Sequence, residues 1–145
     1  GVLSSILFSV YIYELFMRLK SLRIGCHIGN VFMGALGYAD DITLLTPTKS
    51  AMNMFLAEAK AFTNDYDINF NASKCHLITL DTNGPINDSV LFNNEAISSR
   101  PSAVHLGKRI GQNLNPERMK RGINTMTAPT NKFTHVSVSQ CQLQG

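Results

Sequence analysis

Tryptophan is missing from the 145 residues, and cysteine appears only three times. Cys26, Cys75 and Cys141 make an odd set with no Cys-X-X-Cys pair, so their spacing encodes neither a disulfide framework nor a zinc knuckle and points to a reducing compartment. The Cys26-His27 and Cys75-His76 neighbours do not rescue a metal reading, because adjacent strand residues point to opposite faces. Charge is also scarce: 16% of residues are charged against 44% hydrophobic, which excludes a solvated, disordered chain and allows one packed domain. No apolar run reaches the roughly 20 residues of a membrane span. The longest, from Val2 to Met17, is broken by Ser4, Ser5, Ser9 and Glu14. A basic leader and a small-residue cleavage site are lacking too, and the first residue is Gly1. The sequence reads as a cut piece of an intracellular protein, cytoplasmic or nuclear rather than secreted, in which the sequons at Asn71 and Asn87 are idle.

Acidic residues nearly vanish toward the end. Residues 1–99 hold nine acidic and six basic side chains, whereas residues 100–145 hold seven basic ones and only Glu117. A basic end suits phosphate contacts. It suits equally a solvated helix carrying Arg118, Lys120 and Arg121.

From Ile6 to Leu19 apolar residues cover almost every helical face, which predicts a buried helix with Ser4 or Ser5 as its cap. Cys26–Ile28 and Val31–Tyr38 read as strands joined by a Gly29-Asn30 turn, and Ile42–Leu45 as a strand ended by Pro47. Thr48 or Ser50 caps a second helix, in which Met52, Phe55, Leu56, Ala59 and Phe62 fall on one face. Alternation over Tyr66–Phe70 predicts a strand, Cys75–Leu80 another, and Val90–Phe92, Glu95–Ile97 and Val104–Ile110 a small β layer. Pro116 opens a third helix through about Met126, and the polar tail from Thr134, without a persistent period, is expected to be poorly ordered.

Asp40 and Asp41, lying between two greasy strands, are the first candidates for chemistry. Paired carboxylates beside apolar strands are costly unless a cation joins them, and hard oxygen ligands suit Mg²⁺ or Mn²⁺. The same dipeptide also reads as an ordinary Asp-rich turn.

In order along the chain, Gly1-Val2-Leu3-Ser4 with Leu7-Phe8 and Tyr11, Tyr38-Ala39-Asp40-Asp41, Asn71 to Lys74, and His105-Leu106-Gly107 resemble the later motifs of a reverse transcriptase palm, especially that of non-LTR retrotransposons. Ser5 stands where the first motif has proline, and alanine within the Tyr-X-Asp-Asp motif matches non-LTR and group II intron enzymes. Four motifs in sequence are more specific than Tyr-X-Asp-Asp alone.

The resemblance implies an α+β fold, with helices packed on one face of an antiparallel sheet. Residues 1–112 would form part of a palm and residues 113–145 the start of a thumb-like helix with its tail. It implies an RNA-directed DNA polymerase using two Mg²⁺ or Mn²⁺ ions, an RNA template, a DNA primer and deoxynucleotide triphosphates. Asp40 and Asp41 would be the metal ligands, Asp40 leading because it sits nearest the hairpin tip. Gly1 to Ser4 and Tyr38 would lie on the nucleotide side, with Tyr38 packed under the hairpin near the primer end. Lys74 would assist the leaving pyrophosphate as a proton donor or as a plain counter-charge, and Leu106 and Gly107 would support the primer.

A further acid of that family sits on an earlier strand, expected before Gly1. This chain alone is therefore expected to be inactive and to expose the sheet edge that strand would pair, with poor solubility as the consequence. Two rival readings stand beside this one: a non-catalytic retroelement remnant with at most weak nucleic-acid binding, and a globular domain whose Asp-Asp turn has no function.

Overall fold

The computed structural model describes residues 2–80, 89–105, 108–111, 126–127 and 136–144. Its first element, α1 (Val2–Ser21), starts earlier than the serines suggest, so Ser4 and Ser5 lie inside the helix and do not cap it. Ile12, Leu15 and Leu19 of α1 are buried, while Val10 and Tyr13 are about two-thirds exposed. The helix expected to be buried all round is therefore covered on one side only. Short strands β1 (His27–Ile28) and β2 (Val31–Phe32) form the hairpin expected at Gly29-Asn30, with Gly29 at φ 57°.

The predicted strand Val31–Tyr38 is broken at Met33-Gly34, and its second half becomes β3 (Ala35–Tyr38). Side-chain packing explains the break: a Cβ on Gly34 would stand 2.5 Å from the Phe32 ring, and one on Gly25 2.6 Å from the same ring. Two backbones meet under one aromatic side chain there, and only glycine allows the approach.

β3 pairs antiparallel with β4 (Asp41–Thr46), Tyr38 opposite Asp41 and Ala35 opposite Leu44. Every residue of β4 from Ile42 to Thr46 is buried, the pattern of a strand covered on both faces. Thr48 caps α2 (Lys49–Tyr66) as its sequence predicts: its hydroxyl oxygen accepts the Ala51 N–H at 3.1 Å. The helix ends at Asp67, in the left-handed region at φ 51°, which cuts the expected Tyr66–Phe70 strand down to β5 (Asn69–Phe70). The predicted face of α2 is the buried one: Met52, Phe55 and Phe62 have no exposure. These side chains share one core with Leu15 and Leu19 of α1, with Ala35, Ile42 and Leu44 of the hairpin, and with Leu77. Full burial of such a side chain contributes about 1.5–3 kcal/mol.

A short 3₁₀ turn (Ala72–Lys74) leads into β6 (His76–Leu80). Asn93 and Asn94, both at positive φ, make the tight turn between β7 (Ser89–Phe92) and β8 (Glu95–Ser98). The expected Val104–Ile110 strand is instead a hairpin of β9 (Ser102–His105) and β10 (Lys108–Gly111). The pair β11 (Met126–Thr127) lies against β1; the rest of the expected third helix lies outside the described residues.

Two expectations are overturned. Val136–Gln144, read as a poorly ordered tail, is a nine-residue strand, β12, between β4 and β6 and antiparallel to both. Ladder hydrogen bonds from two apolar neighbours hold it, and these are invisible in a local reading of serines and glutamines. On the side of β4 away from β3, β12 supplies the neighbouring strand. The cysteines also depart from an unpaired set. Cys26 is a free, buried thiol whose burial pushes its pKa up to about 11, whereas Cys75 is engaged in a disulfide. Strand register can bring distant cysteines level, and sequence spacing does not display that. Among the described residues the architecture is α+β: two α-helices and antiparallel sheets, with α1 and α2 sharing a core with the sheet face that carries Ile42 and Leu44.

Candidate functional site

The site is built on the β3–β4 hairpin. Tyr38 and Asp41 close the ladder, so only Ala39 and Asp40 form the turn. Ala39 sits in the left-handed region at φ 50°, a conformation that costs a side-chain-bearing residue roughly 1–2 kcal/mol. The surrounding ladder imposes it, and the result lifts Asp40 to the tip. Asp40 is exposed and Asp41 is half-buried at the first position of β4. The two residues are thus neighbours at one bend, Asp40 open to solvent and Asp41 partly covered.

Asp41 carries the most informative atom of the pair. Its Oδ1 is buried and has no hydrogen-bond partner. A buried carboxylate oxygen left unpaired is costly, and a cation is the chemistry that would relieve it. No group of three or more His, Cys, Asp or Glu side chains placed to hold a metal ion occurs among the described residues, so no third such ligand joins these two acids there.

Beside the tip lies a cavity of about 360 Å³ between α1 and the hairpin, lined by Phe8, Ile12 and Phe16 from the helix and by Gly37, Ala39 and Asp40 from the hairpin. Gly37 sets its floor: a Cβ there would meet the Phe16 ring at 3.1 Å. The helical residues recur every fourth position, a signal present in the sequence; the motif comparison drew attention to Phe8 but not to Ile12 or Phe16. An apolar pocket with one carboxylate at its mouth can accept a ligand that is part ring, part cation or cation-bound phosphate.

The other candidate residues fall as follows. Tyr38 does not pack under the hairpin; it is 65% exposed, because its place opposite Asp41 turns it away from the α1 side of the sheet. Ser4 lies in the first turn of α1, on the helix that lines the pocket. Lys74 is exposed and ends the 3₁₀ turn, which is initiated by Asn71 accepting the Ser73 N–H. Because β12 separates β4 from β5 and β6, Lys74 stands at the same end of the sheet as Asp41 but about two strand spacings away, roughly 10 Å. No ion pair joins Lys74 to either acid among the described residues. Gly1, Leu106 and Gly107 lie outside the described residues.

No helix among the described residues is long and apolar enough to cross a membrane. No solved structure matches the chain. A curated relative, the retrovirus-related Pol polyprotein from type-2 retrotransposable element R2DM of Drosophila melanogaster, is 32% identical over 76 residues. That stretch is 52% of this chain, and the chain spans about 7% of the relative's length. The family model described as reverse transcriptase (RNA-dependent DNA polymerase) matches residues 1–120, the stretch that carries the Asp40-Asp41 bend, the pocket beside it and both helices. On that match, the chain belongs to the reverse transcriptase family.

Proposed function

We propose that this chain is a palm fragment of a non-LTR retroelement polymerase and that Asp40 and Asp41 hold its divalent metal ions, Mg²⁺ or Mn²⁺. The observation that carries the reading is the buried, unpartnered Oδ1 of Asp41 beside an exposed Asp40 at a two-residue turn. When bound, such ions activate the primer's 3′ oxygen and stabilise the leaving pyrophosphate. The protein's part is positioning. The β3–β4 ladder fixes both carboxylates, and the pocket walled by Phe8, Ile12 and Phe16 offers an apolar surface to the incoming deoxynucleotide. Ser4 lies on the helix that walls this pocket and Tyr38 flanks the turn from the other face of the sheet, Lys74 supplies positive charge toward the pyrophosphate, and Leu106 and Gly107 support the primer on its RNA template. Residues 1–112 form this part of the palm and residues 113–145 lead toward the thumb, the pairing of Val136–Gln144 drawing the end of that segment back onto the sheet.

Among the described residues no third acid joins these two, which makes a weak two-metal centre, so the chain by itself is proposed to be inactive. The direct test is an Mn²⁺ titration of the full chain followed by paramagnetic broadening of backbone resonances. Selective broadening around residues 39–42, abolished by Asp40→Asn with Asp41→Asn, is the expected result; broadening that is uniform, or unchanged in the double variant, sinks the reading. A second reading, a non-catalytic remnant that binds nucleic acid weakly, rests on the missing third acid and the basic end. Primer extension separates the two: activity gained when the element's preceding segment is joined before Gly1 supports the palm, and persistent inactivity supports the remnant.

A further inference from the structure

The strand β12 comes from outside the residues matched by the family, which end at 120, yet it sits in the interior of the family's sheet. It pairs with six residues of β4 and five of β6, from Thr46↔Ser137 to Asp41↔Gln142 on one side and from Leu80↔Val136 to His76↔Gln140 on the other. The β6 register, continued by one step, places Cys75 level with Cys141. Cys75 is in extended backbone, at φ −79° and ψ 141°, so the step is a continuation of the strand. Residues level across an antiparallel pair have Cα atoms about 4.5 or 5.5 Å apart, and either value falls within the span that a disulfide bridges. Cys75 is disulfide-bonded, Cys26 is free, and the chain has three cysteines.

We propose that Cys75 and Cys141 form a cross-strand clasp that holds Val136–Gln144 between β4 and β6, so that closure of this sheet depends on the thiol redox state. The clasp forms by exchange with a small disulfide such as glutathione disulfide. One cysteine thiolate attacks it, releasing one glutathione thiol; the second cysteine thiolate then displaces the other glutathione, and the sulfur–sulfur bond between the two strands is made. Two protein thiols are oxidised, and one glutathione disulfide is reduced to two thiols. In the reduced state β12 is held by ladder hydrogen bonds alone, and its release would open the edge of β4 beside Asp41. A strand edge so exposed pairs readily with another extended segment. Since its readouts are a crosslink and backbone exchange, the proposal stands or falls independently of metal binding.

The test uses the full chain equilibrated with glutathione disulfide, alkylated, and digested without reductant. Mass spectrometry is expected to show one crosslinked peptide pair carrying Cys75 and Cys141. Hydrogen exchange is expected to quicken by about tenfold or more at residues 42–46 when dithiothreitol is added, and the midpoint of thermal unfolding to fall by on the order of 10 °C. Cys141→Ser in oxidising buffer should behave like the reduced chain, while Cys26→Ala should keep the full redox response. Should Cys141→Ser fail to fold, the wild-type and Cys26→Ala arms still decide the matter. A crosslink to Cys26, alkylation of both Cys75 and Cys141 in the oxidised chain, or exchange at 42–46 indifferent to reductant would overturn the clasp.

Discussion

The two helices bury their apolar residues very differently. Along α2 the large ones gather on one stripe, Met54 excepted, and Met52, Phe55, Leu56, Ala59 and Phe62 all vanish into the core. Along α1 they surround the axis, so that Ile12, Leu15 and Leu19 are hidden while Ile6, Val10 and Tyr13 stay more than half exposed. An amphipathic helix states in its own sequence how much partner it needs. A helix that is apolar all round states only that it needs more, and α1 has the sheet and α2 on one side. Tyr13 of the face left over also lines the pocket beside Asp40, so exposed apolar surface of α1 adjoins the candidate site.

The contrast is most severely tested on the buried side. Phe55 has no exposure, and its ring meets the Phe32 ring at 6.4 Å between centroids. Phe55→Ala is expected to cost about 3–5 kcal/mol, the range for removing a buried aromatic side chain and leaving a cavity. Urea unfolding of the oxidised chain measures it. A cost below about 1 kcal/mol would show that α2 is no better packed than α1, and the comparison would collapse.

How much of this was legible in the sequence follows from the same contrast. The stripe of α2, its Thr48 cap and the Asn93-Asn94 turn were readable because each depends on residues close together in the chain. Asp40 and Asp41 were readable for the same reason, since a two-residue turn is a local event. The exposure of α1 was not, because burial depends on what other elements cover. Nor was the strand at Val136–Gln144, where the alternation of Val136 and Val138 slips by one place before Cys141 and Leu143, so that no single period runs through it; its place is set by β4 and β6, with paired residues 56 to 101 positions apart in the chain. The exposure of Tyr38 was misread because a motif records residue types and not the face each one takes.

Between the two helices lies an ionic junction whose loss should matter less than a core ring. The Arg18 guanidinium of α1 donates to Glu14 on its own helix, and to Asp65 on α2 at 2.8 Å, and stands 5.6 Å from the centre of the Phe62 ring. Glu58 is a weaker partner at 3.8 Å, and the Tyr66 hydroxyl donates to Glu14. The Tyr66 hydroxyl first, and then Arg18, holds the Glu14 carboxyl below its ordinary 4.5. A carboxyl whose folded pKa is depressed contributes stability that is present above its unfolded value and is lost as pH falls through the folded one. The junction should therefore weaken below about pH 4.5. Glu14→Gln is expected to flatten that acid limb in a series of thermal melts, and Arg18→Ala to lower the melting point by less than Phe55→Ala does. An acid limb identical in wild type and Glu14→Gln would remove the junction from the account of how α1 is held.

The smallest expected effect on stability is on the outer face of α1, and it sharpens the comparison most. Val10 is 62% exposed and Tyr13 66%, so replacing both by glutamine removes little buried surface. Glutamine is also the better helix former than valine or tyrosine, which offsets part of what is lost. Val10→Gln with Tyr13→Gln is expected to change stability by no more than about 0.5 kcal/mol, the usual range for surface substitutions. The same change should raise the monomeric fraction in sedimentation, because contiguous exposed apolar surface promotes association. A large loss of stability would mean that this face is packed against something within the chain. An unchanged monomeric fraction would mean that association is driven from elsewhere. Either result would show that the two helices differ in the residues they carry and not in how well they are satisfied.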